Sequence, residues 1–340
     1  MTQHHWPLML AALLIAARPV TAQPASSPRE GGRRLDLQAR GAARRGDRLA
    51  ATEVTATFSQ TVRLPRNGTV DLQHVAGDVL VTGGGGDTVR IDAVTRVRPR
   101  AARQAQALLD EVAIDVAERG DRVEVSAQSP RRRGGPGVVD VTVTVPSGAN
   151  VVLRSASGRL RVTGVHGELR LQTVSGDITA SNVRGLRRVE TVSGRIDIRD
   201  ASGQDLTGGT VSGMLSIERL AIRGVELRSV SGDVNLRDVT AERVLIRSVN
   251  GDIEYGGPLA AHGLYELRSH SGNVRVMPTG GAGFQLDAAT FSGNVRTDVE
   301  LAVTGVGGAR RGRGARGAGE IPAAGRLTVR SFSGDIVVTR

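Results

Sequence analysis

The chain has 340 residues, 45 basic and 34 acidic side chains, and no cysteine. That composition excludes a disulfide framework, a thiolate metal site and a cysteine nucleophile. Every basic residue is arginine, and the net charge of +11 gathers in three Gly- and Pro-rich stretches, at 29–48, 131–133 and 310–316, leaving the remainder close to neutral. Charge so placed predicts solvated segments and no nucleic-acid surface, which would need aromatic platforms beside the cations. Trp6 is the one Trp, and Phe and Tyr together number six.

Residues 1–22 read as a signal peptide. Leu8 to Ala17 is an apolar run, Arg18-Pro19 breaks it, and Val20-Thr21-Ala22 supplies the small residues wanted at a cleavage site. Ten apolar residues are too few to span a bilayer. The expectation is export to the periplasm, outer envelope or extracellular space, with no transmembrane span. Residues 23–53, rich in Arg, Gly and Pro, read as a disordered linker.

From Val54 the pattern turns strand-like, with candidate strands at 54–64, 69–74 and 87–97. Ala76-Gly77-Asp78-Val79 resembles a diverged copy of a bend that recurs later. Arg100 to Asp110 is the one predicted helix, with Ala102, Ala105, Leu108 and Leu109 on one face after the breaker Pro99. Strands at 111–117, 121–127 and 138–145 complete a strand-rich cap over 54–150, continuous with the segment beyond residue 150. A repeat stack needs such a cover, because an open edge recruits foreign strands.

Beyond residue 150 a repeat takes over. A Ser/Thr-x-Ser/Asn-Gly motif ends at Gly158, Gly176, Gly194, Gly213, Gly232, Gly251, Gly272, Gly293 and Gly334, at intervals of 18, 18, 19, 19, 19, 21, 21 and 41 residues. Two positions after each glycine stands an aliphatic residue, from Leu160 and Ile178 to Ile336. Five positions before it stands another, except at Gly208 and Ala288. Period-two alternation on both sides of a Ser-Gly marks two short strands joined by a tight bend, where glycine supplies a positive φ. One such unit cannot bury its apolar side alone, so the units stack in register. The predicted fold is all-β, a parallel β-solenoid of about nine coils of 18–21 residues over 151–340. The long last interval holds an Arg/Gly loop at 305–325 without strand pattern.

The recurring Val-Ser-Gly-Asp-Ile pattern (Val174 to Ile178, Val230 to Val234, Val249 to Ile253), after a helix-containing strand region, resembles the bacterial putative-adhesin family of β-strand-repeat domains. The resemblance covers roughly 54–340. It implies a secreted or envelope-associated β-solenoid without known catalytic residues, so none is carried over.

Three columns emerge if the units stack. Asp177, Asp233, Asp252 and Asp335 follow the bends and are the weak Ca²⁺ candidates. Arg195 and Met214 interrupt that column, and the expected role is local hydrogen-bond acceptance, with no metal or other cofactor. Arg154, Arg228, Arg247, Arg268 and Arg330 precede the bends, with Gln172 and Glu190 in the gaps. They are expected to form a salt-bridged face, with neighbours such as Glu226 and Glu266, ahead of a stripe for acidic glycans or lipid headgroups. The third column is Val174, Val192, Val211, Val230, Val249, His270, Phe291 and Phe332. Strict alternation points it outward, as a partner surface; a twist at the bend would bury it, and burial is the expectation. His270 is then a packed neighbour of the phenylalanines.

No nucleophile elbow, zinc-binding helix or phosphate loop is present. The expected function is non-enzymatic: an adhesin-like surface or envelope binding or scaffold protein, its partner another protein, a glycan or a second copy. The alternative is a polysaccharide-active parallel β-helix lyase or hydrolase acting on acidic glycans. The strand Asp335 to Arg340, taken as an open edge, predicts weak end-to-end self-association.

Overall fold

The computed structural model describes residues 53–99, 105–128, 137–280, 283–298, 313–317 and 325–339. They fall within one compact unit, Arg33–Arg340. The expected signal segment 1–22, nearly all of the linker 23–53 and the basic run 131–133 lie outside the described residues.

Among the described residues the architecture is all-β, with one six-residue helix, α1 (Ala105–Asp110). The part of the predicted helix at 100–104 lies outside the described residues. The first half carries β1 (Val54–Arg63), β2 (Thr69–Ala76), β3 (Val79–Gly84), β4 (Thr88–Val97), β5 (Ala113–Arg119), β6 (Arg122–Gln128) and β7 (Val138–Pro146). The repeats follow as β8 (Asn150–Ser157), β9 (Leu160–Thr163), β10 (Leu169–Ser175), β11 (Ile178–Arg184), β12 (Leu186–Ser193) and β13 (Ile196–Ser202). Then come β14 (Asp205–Ser212), β15 (Leu215–Ala221), β16 (Gly224–Ser231), β17 (Val234–Asn250), β18 (Ile253–Ser271) and β19 (Val274–Thr279). The last are β20 (Phe284–Ser292), β21 (Val295–Thr297), β22 (Arg313–Gly317), β23 (Gly325–Ser333) and β24 (Ile336–Val338).

All of them join one large mixed sheet. Strands before a bend pair in parallel with the equivalent strands of neighbouring units, so that Leu171 sits between Leu153 and Val189. Strands after the bend do the same, with Ile178 between Leu160 and Ile196. The mixed character comes from the two ends. At one, β1 and β4 are antiparallel to each other, as are β4 and β7, and β5 and β6. At the other, β22 lies antiparallel on β20. That strand corrects the reading of 305–325 as a loop without strand pattern; the rest of the insertion lies outside the described residues.

The Gly77 bend belongs to the stack, with β2 against β8 and β3 against β9. A Cβ on Gly158 would fall 1.8 Å from the carbonyl oxygen of Gly77, and Gly176 stands in the same relation to Gly158 at 2.0 Å. The contact continues rung by rung to Gly272. Rungs lie one strand spacing apart, about 4.8 Å, so bend backbones touch and no side chain fits between them.

The top of the stack breaks chain order. β23 pairs with β18 on one side and β20 on the other, and β24 lies between β19 and β21. The Gly334 rung is therefore inserted between those of Gly272 and Gly293, and the expectation of an open strand edge at Asp335 to Arg340 is overturned. Burial explains the order. Leu327, Val329, Ile336 and Val338 are fully buried, whereas the Gly293 rung offers half-buried Phe284 and Val295 and exposed Thr297. The more apolar rung takes the slot covered on both sides, where each buried aliphatic side chain stabilises most.

The core is the aliphatic filling of the stack. Residues two after and five before each bend glycine are buried almost without exception. Gly208 departs from that column, but a Cβ there would come within 2.9 Å of Leu227 Cδ2 and 3.0 Å of Val189 Cγ1, so the adjoining rungs fill its space. A second corner needs a left-handed residue: Asn182, Asp200 and Asp238 hold φ of 49–53° there, which Asn and Asp tolerate. Arg219 takes the same conformation at φ 53° and is tied to Asp200 at 2.6 Å.

Candidate functional site

The residue three before each bend glycine is polar and buried, and small at every rung but the first: His74, Ser155, Thr173, Thr191, Thr210, Ser229, Ser248, Ser269, Ser331 and Thr290 in stacking order. Several of these hydroxyls donate to a bend-glycine carbonyl of an adjacent rung. Ser331 donates to Gly272 at 3.1 Å, Thr290 to Gly334 at 2.9 Å and Ser269 to Gly251 at 3.3 Å. At these rungs the first Ser or Thr of the motif satisfies a carbonyl that the bend turns inward, whereas the buried hydroxyls of Thr173, Thr210 and Ser248 make no such bond. At the first rung His74 bridges Ser155 Oγ (2.9 Å) and the Val139 carbonyl (2.7 Å). Burial pushes its imidazole below the usual value, against the opposing pull of the Val139 hydrogen bond and of Asp140 and Asp78.

The acidic column is engaged between rungs. The Arg195 amide donates to Asp177 Oδ1 at 2.8 Å, the Asp252 amide to Asp233 Oδ1 at 2.9 Å, and the Asn273 amide to Asp252 Oδ1 at 2.7 Å. Asn273 accepts from the Asp335 amide at 3.0 Å, and Asp335 accepts from the Asn294 amide at 2.8 Å. Each carboxylate or amide oxygen caps the next rung's amide, and Asn serves as well as Asp. Among the described residues no three His, Asp or Glu side chains converge as a metal site.

The arginine column is paired with acids on the same outer face. Arg228 meets Glu226 at 2.5 Å, and Arg268 and Arg247 share Glu266 at 2.5 and 3.7 Å. Arg330 grips both oxygens of Asp287, at 2.5 and 3.1 Å. Arg154 reaches Asp71 at 3.0 Å, and Gln172 donates to Glu190 at 2.9 Å.

The third column is where expectation and structure part. Val211, Val230 and Val249 are 47, 44 and 44 % exposed, and Phe332 and Phe291 are 50 and 55 % exposed. The expected burial is therefore wrong. The buried hydroxyl beside each of these residues fixes the alternation, so the next side chain must face out. The column is a ridge running the length of the stack, half-buried at Val174 and Val192 and open from Val211 onward. It ends in a ladder of three parallel rings: His270 on Phe332, centroids 4.9 Å apart at 5°, then Phe332 on Phe291, 4.9 Å at 4°. His270 is a packed neighbour of the phenylalanines, and the inserted rung supplies the middle ring. Contiguous exposed apolar surface of this kind marks a contact site in a monomeric protein.

Sequence reasoning missed a shallow groove on the outer face of the sheet after the bend. It has a volume of about 290 Å³ and is lined by Asp252, Glu254, Arg275, Arg296, Asp335 and Val337. Its lining comes from rungs whose order the sequence did not reveal. Among the described residues no helix is long and apolar enough to cross a membrane.

The comparison with curated proteins gave no match. Similar solved structures include a putative adhesin from Bacteroides fragilis, 14% identical, covering 83% of this chain and 96% of that one with a TM-score of 0.39. Another is a putative lipid binding protein from Parabacteroides distasonis, 9% identical, covering 84% and 96% at 0.41. A third is a putative cell adhesion protein from Clostridium sporogenes, 9% identical, covering 84% and 99% at 0.22. Residues 140–339 match the family described as Toastrack DUF4097, a span that takes in nearly every rung of the stack. The chain belongs to the Toastrack DUF4097 family.

Proposed function

We propose that this chain is an exported, non-enzymatic β-solenoid that acts as a surface or envelope binding protein, with the apolar ridge as its contact surface. The observation that carries the reading is the unbroken column of outward Val, His and Phe side chains from Val211 to Phe291. Exposed apolar surface costs solubility, so its repetition over consecutive rungs supports a contact role. The charged columns support the non-enzymatic half. Their acids are engaged in inter-rung amide hydrogen bonds or in arginine pairs. Adhesion is also the term used for two of the similar structures.

The test compares retention of the parent and of a Val230→Asp/Val249→Asp variant on envelope preparations. The reading requires the variant to lose retention while its melting temperature stays within a few degrees of the parent's. Equal retention removes the ridge as the contact surface.

The second reading, an enzyme acting on acidic glycans, rests on the groove, where Asp252, Glu254 and Asp335 lie with Arg275 and Arg296. Incubation with a panel of acidic polysaccharides separates the two: an enzyme releases oligosaccharides, and a binder only retains the polymer.

A further inference from the structure

The open part of the ridge has a polarity across it. Arg228-Ser229-Val230-Ser231-Gly232-Asp233 sets an arginine on one flank of the exposed Val and an aspartate on the other. The same order recurs at Arg247, Val249 and Asp252 and at Arg330, Phe332 and Asp335, while between them Arg268 and His270 are followed by the neutral Asn273. These are four consecutive rungs in space, because the Gly334 rung follows that of Gly272. Earlier rungs lack the pattern: Glu190 and Arg195 reverse it, and Arg154 and Arg159 carry like charges. The polarised flanks therefore occupy the middle of the open ridge, between Val211 and Phe291.

We infer that the ridge docks against the ridge of a second copy about a two-fold axis parallel to the stack, a deepening of the binding role proposed above and dependent on it. A two-fold along the stack lays each rung against its own equivalent and brings the arginine row of one copy over the aspartate row of the other. The antiparallel alternative, with its two-fold across the ridge, sets arginine on arginine and aspartate on aspartate, so charge selects the parallel arrangement. The arginines keep donors for this contact, since a guanidinium has five N–H groups and its intrachain acid uses one or two. Six side chains from Val211 to Phe291 offer roughly 500 Å² per copy, or roughly 1,000 Å² for the pair, the lower bound of a specific interface. The dimer is accordingly weak and salt-sensitive. It differs from the end-to-end pairing expected of an open terminal strand, which the interior position of β24 removes.

The chain has no cysteine, so single replacements report cleanly. Val211→Cys and Phe291→Cys stand five rungs apart, about 24 Å. In the parallel arrangement both variants form disulfide-linked homodimers under mild oxidation, each at least ten-fold faster than Arg161→Cys on the other outer face. Linking at one site alone or at neither overturns the inference, and linking only in a mixture of the two variants is the antiparallel outcome. The triple variant Asp233→Asn/Asp252→Asn/Asp335→Asn keeps the amide-capping oxygen that Asn273 already provides, and removes only charge. Introduced beside either cysteine it slows linking several-fold at low salt; an unchanged rate refutes the charge argument. If neither cysteine variant links, alone or mixed with the other, while Val230→Asp/Val249→Asp loses envelope retention, the ridge remains a contact surface and only the second copy is removed as its partner.

Discussion

Replacing Gly232 by Ala probes one of the close backbone contacts in the middle of the stack. Gly232 has φ of 152°, and a Cβ built there lies 2.0 Å from the Gly213 carbonyl oxygen and 2.7 Å from its carbon. The neighbour is backbone, so no side chain can swing aside. The strained conformation alone costs about 1–3 kcal/mol. Relieving the overlap means separating two rungs by more than an ångström, which loosens the Gly213 amide bond to Ser231 (3.1 Å) and the Leu215 amide bond to Asp233 (2.9 Å). At about 1 kcal/mol for each bond, the total is about 3–5 kcal/mol. Gly85→Ala is the control, since a Cβ there has nothing within 4 Å. Urea unfolding followed by circular dichroism should put the Gly232→Ala midpoint far below that of Gly85→Ala. Hydrogen exchange should show the loss centred on the Gly213 and Gly251 rungs, because a stacked repeat transmits strain mainly to its neighbours. Coincident unfolding curves for the two variants would refute the close-packed glycine column.

Three further outcomes rest on the same contacts. Burial keeps His74 neutral below its usual pKa of 6.5, so the unfolded chain takes up a proton first as pH falls. Its contribution to stability is complete above pH 6.5 and declines below it, by at most about 1.4 kcal/mol per pH unit, until the depressed folded value is reached. His74→Thr, the residue type of four other rungs, should flatten the difference in urea midpoint between pH 7.5 and pH 5.5, and an unchanged slope assigns the acid sensitivity elsewhere. Ile336→Ala should cost about 2–5 kcal/mol, as a buried aliphatic truncation does, and should match Ile253→Ala. A cost below about 1 kcal/mol would return that rung to the edge. Asp252→Asn should leave stability within about 0.5 kcal/mol, while Asp252→Ala strips the Asn273 amide of its acceptor and costs about 1 kcal/mol or more. Millimolar calcium should leave both melting temperatures unmoved; a rise for the parent alone would restore the carboxylate column as a metal site.

Much of this fold is legible in the sequence because one physical constraint repeats. Rungs too close for a Cβ demand glycine at each bend, and a closed apolar filling demands aliphatics on either side, so Gly176, Leu171 and Ile178 announce their places. The Gly77 rung is visible for the same reason. The order of the last two rungs is not, since Gly293 and Gly334 carry the same motif and the choice depends on burial in three dimensions. Ile336 and Val338 outcompete Val295 and Thr297 for the covered slot. The ridge is misjudged from sequence because Val, His and Phe at successive rungs suggest core. The decisive residue is its neighbour: the Ser or Thr three before the glycine is buried, and strand alternation then leaves the next side chain no inward direction. The groove beside Asp252 and Arg275 has no sequence signal, as its members share a face only once the inserted rung is in place.

The ridge facing outward over an aliphatic core is the central claim, and thiol accessibility tests it directly. In the cysteine-free chain, Val249→Cys and Ile246→Cys sit three residues apart on one strand, at 44 % and 0 % exposure. Without denaturant, a water-soluble thiol reagent should label Val249→Cys within seconds and leave Ile246→Cys protected until the protein unfolds. Protection of Val249→Cys in the monomer, at concentrations low enough to prevent pairing, would contradict that arrangement.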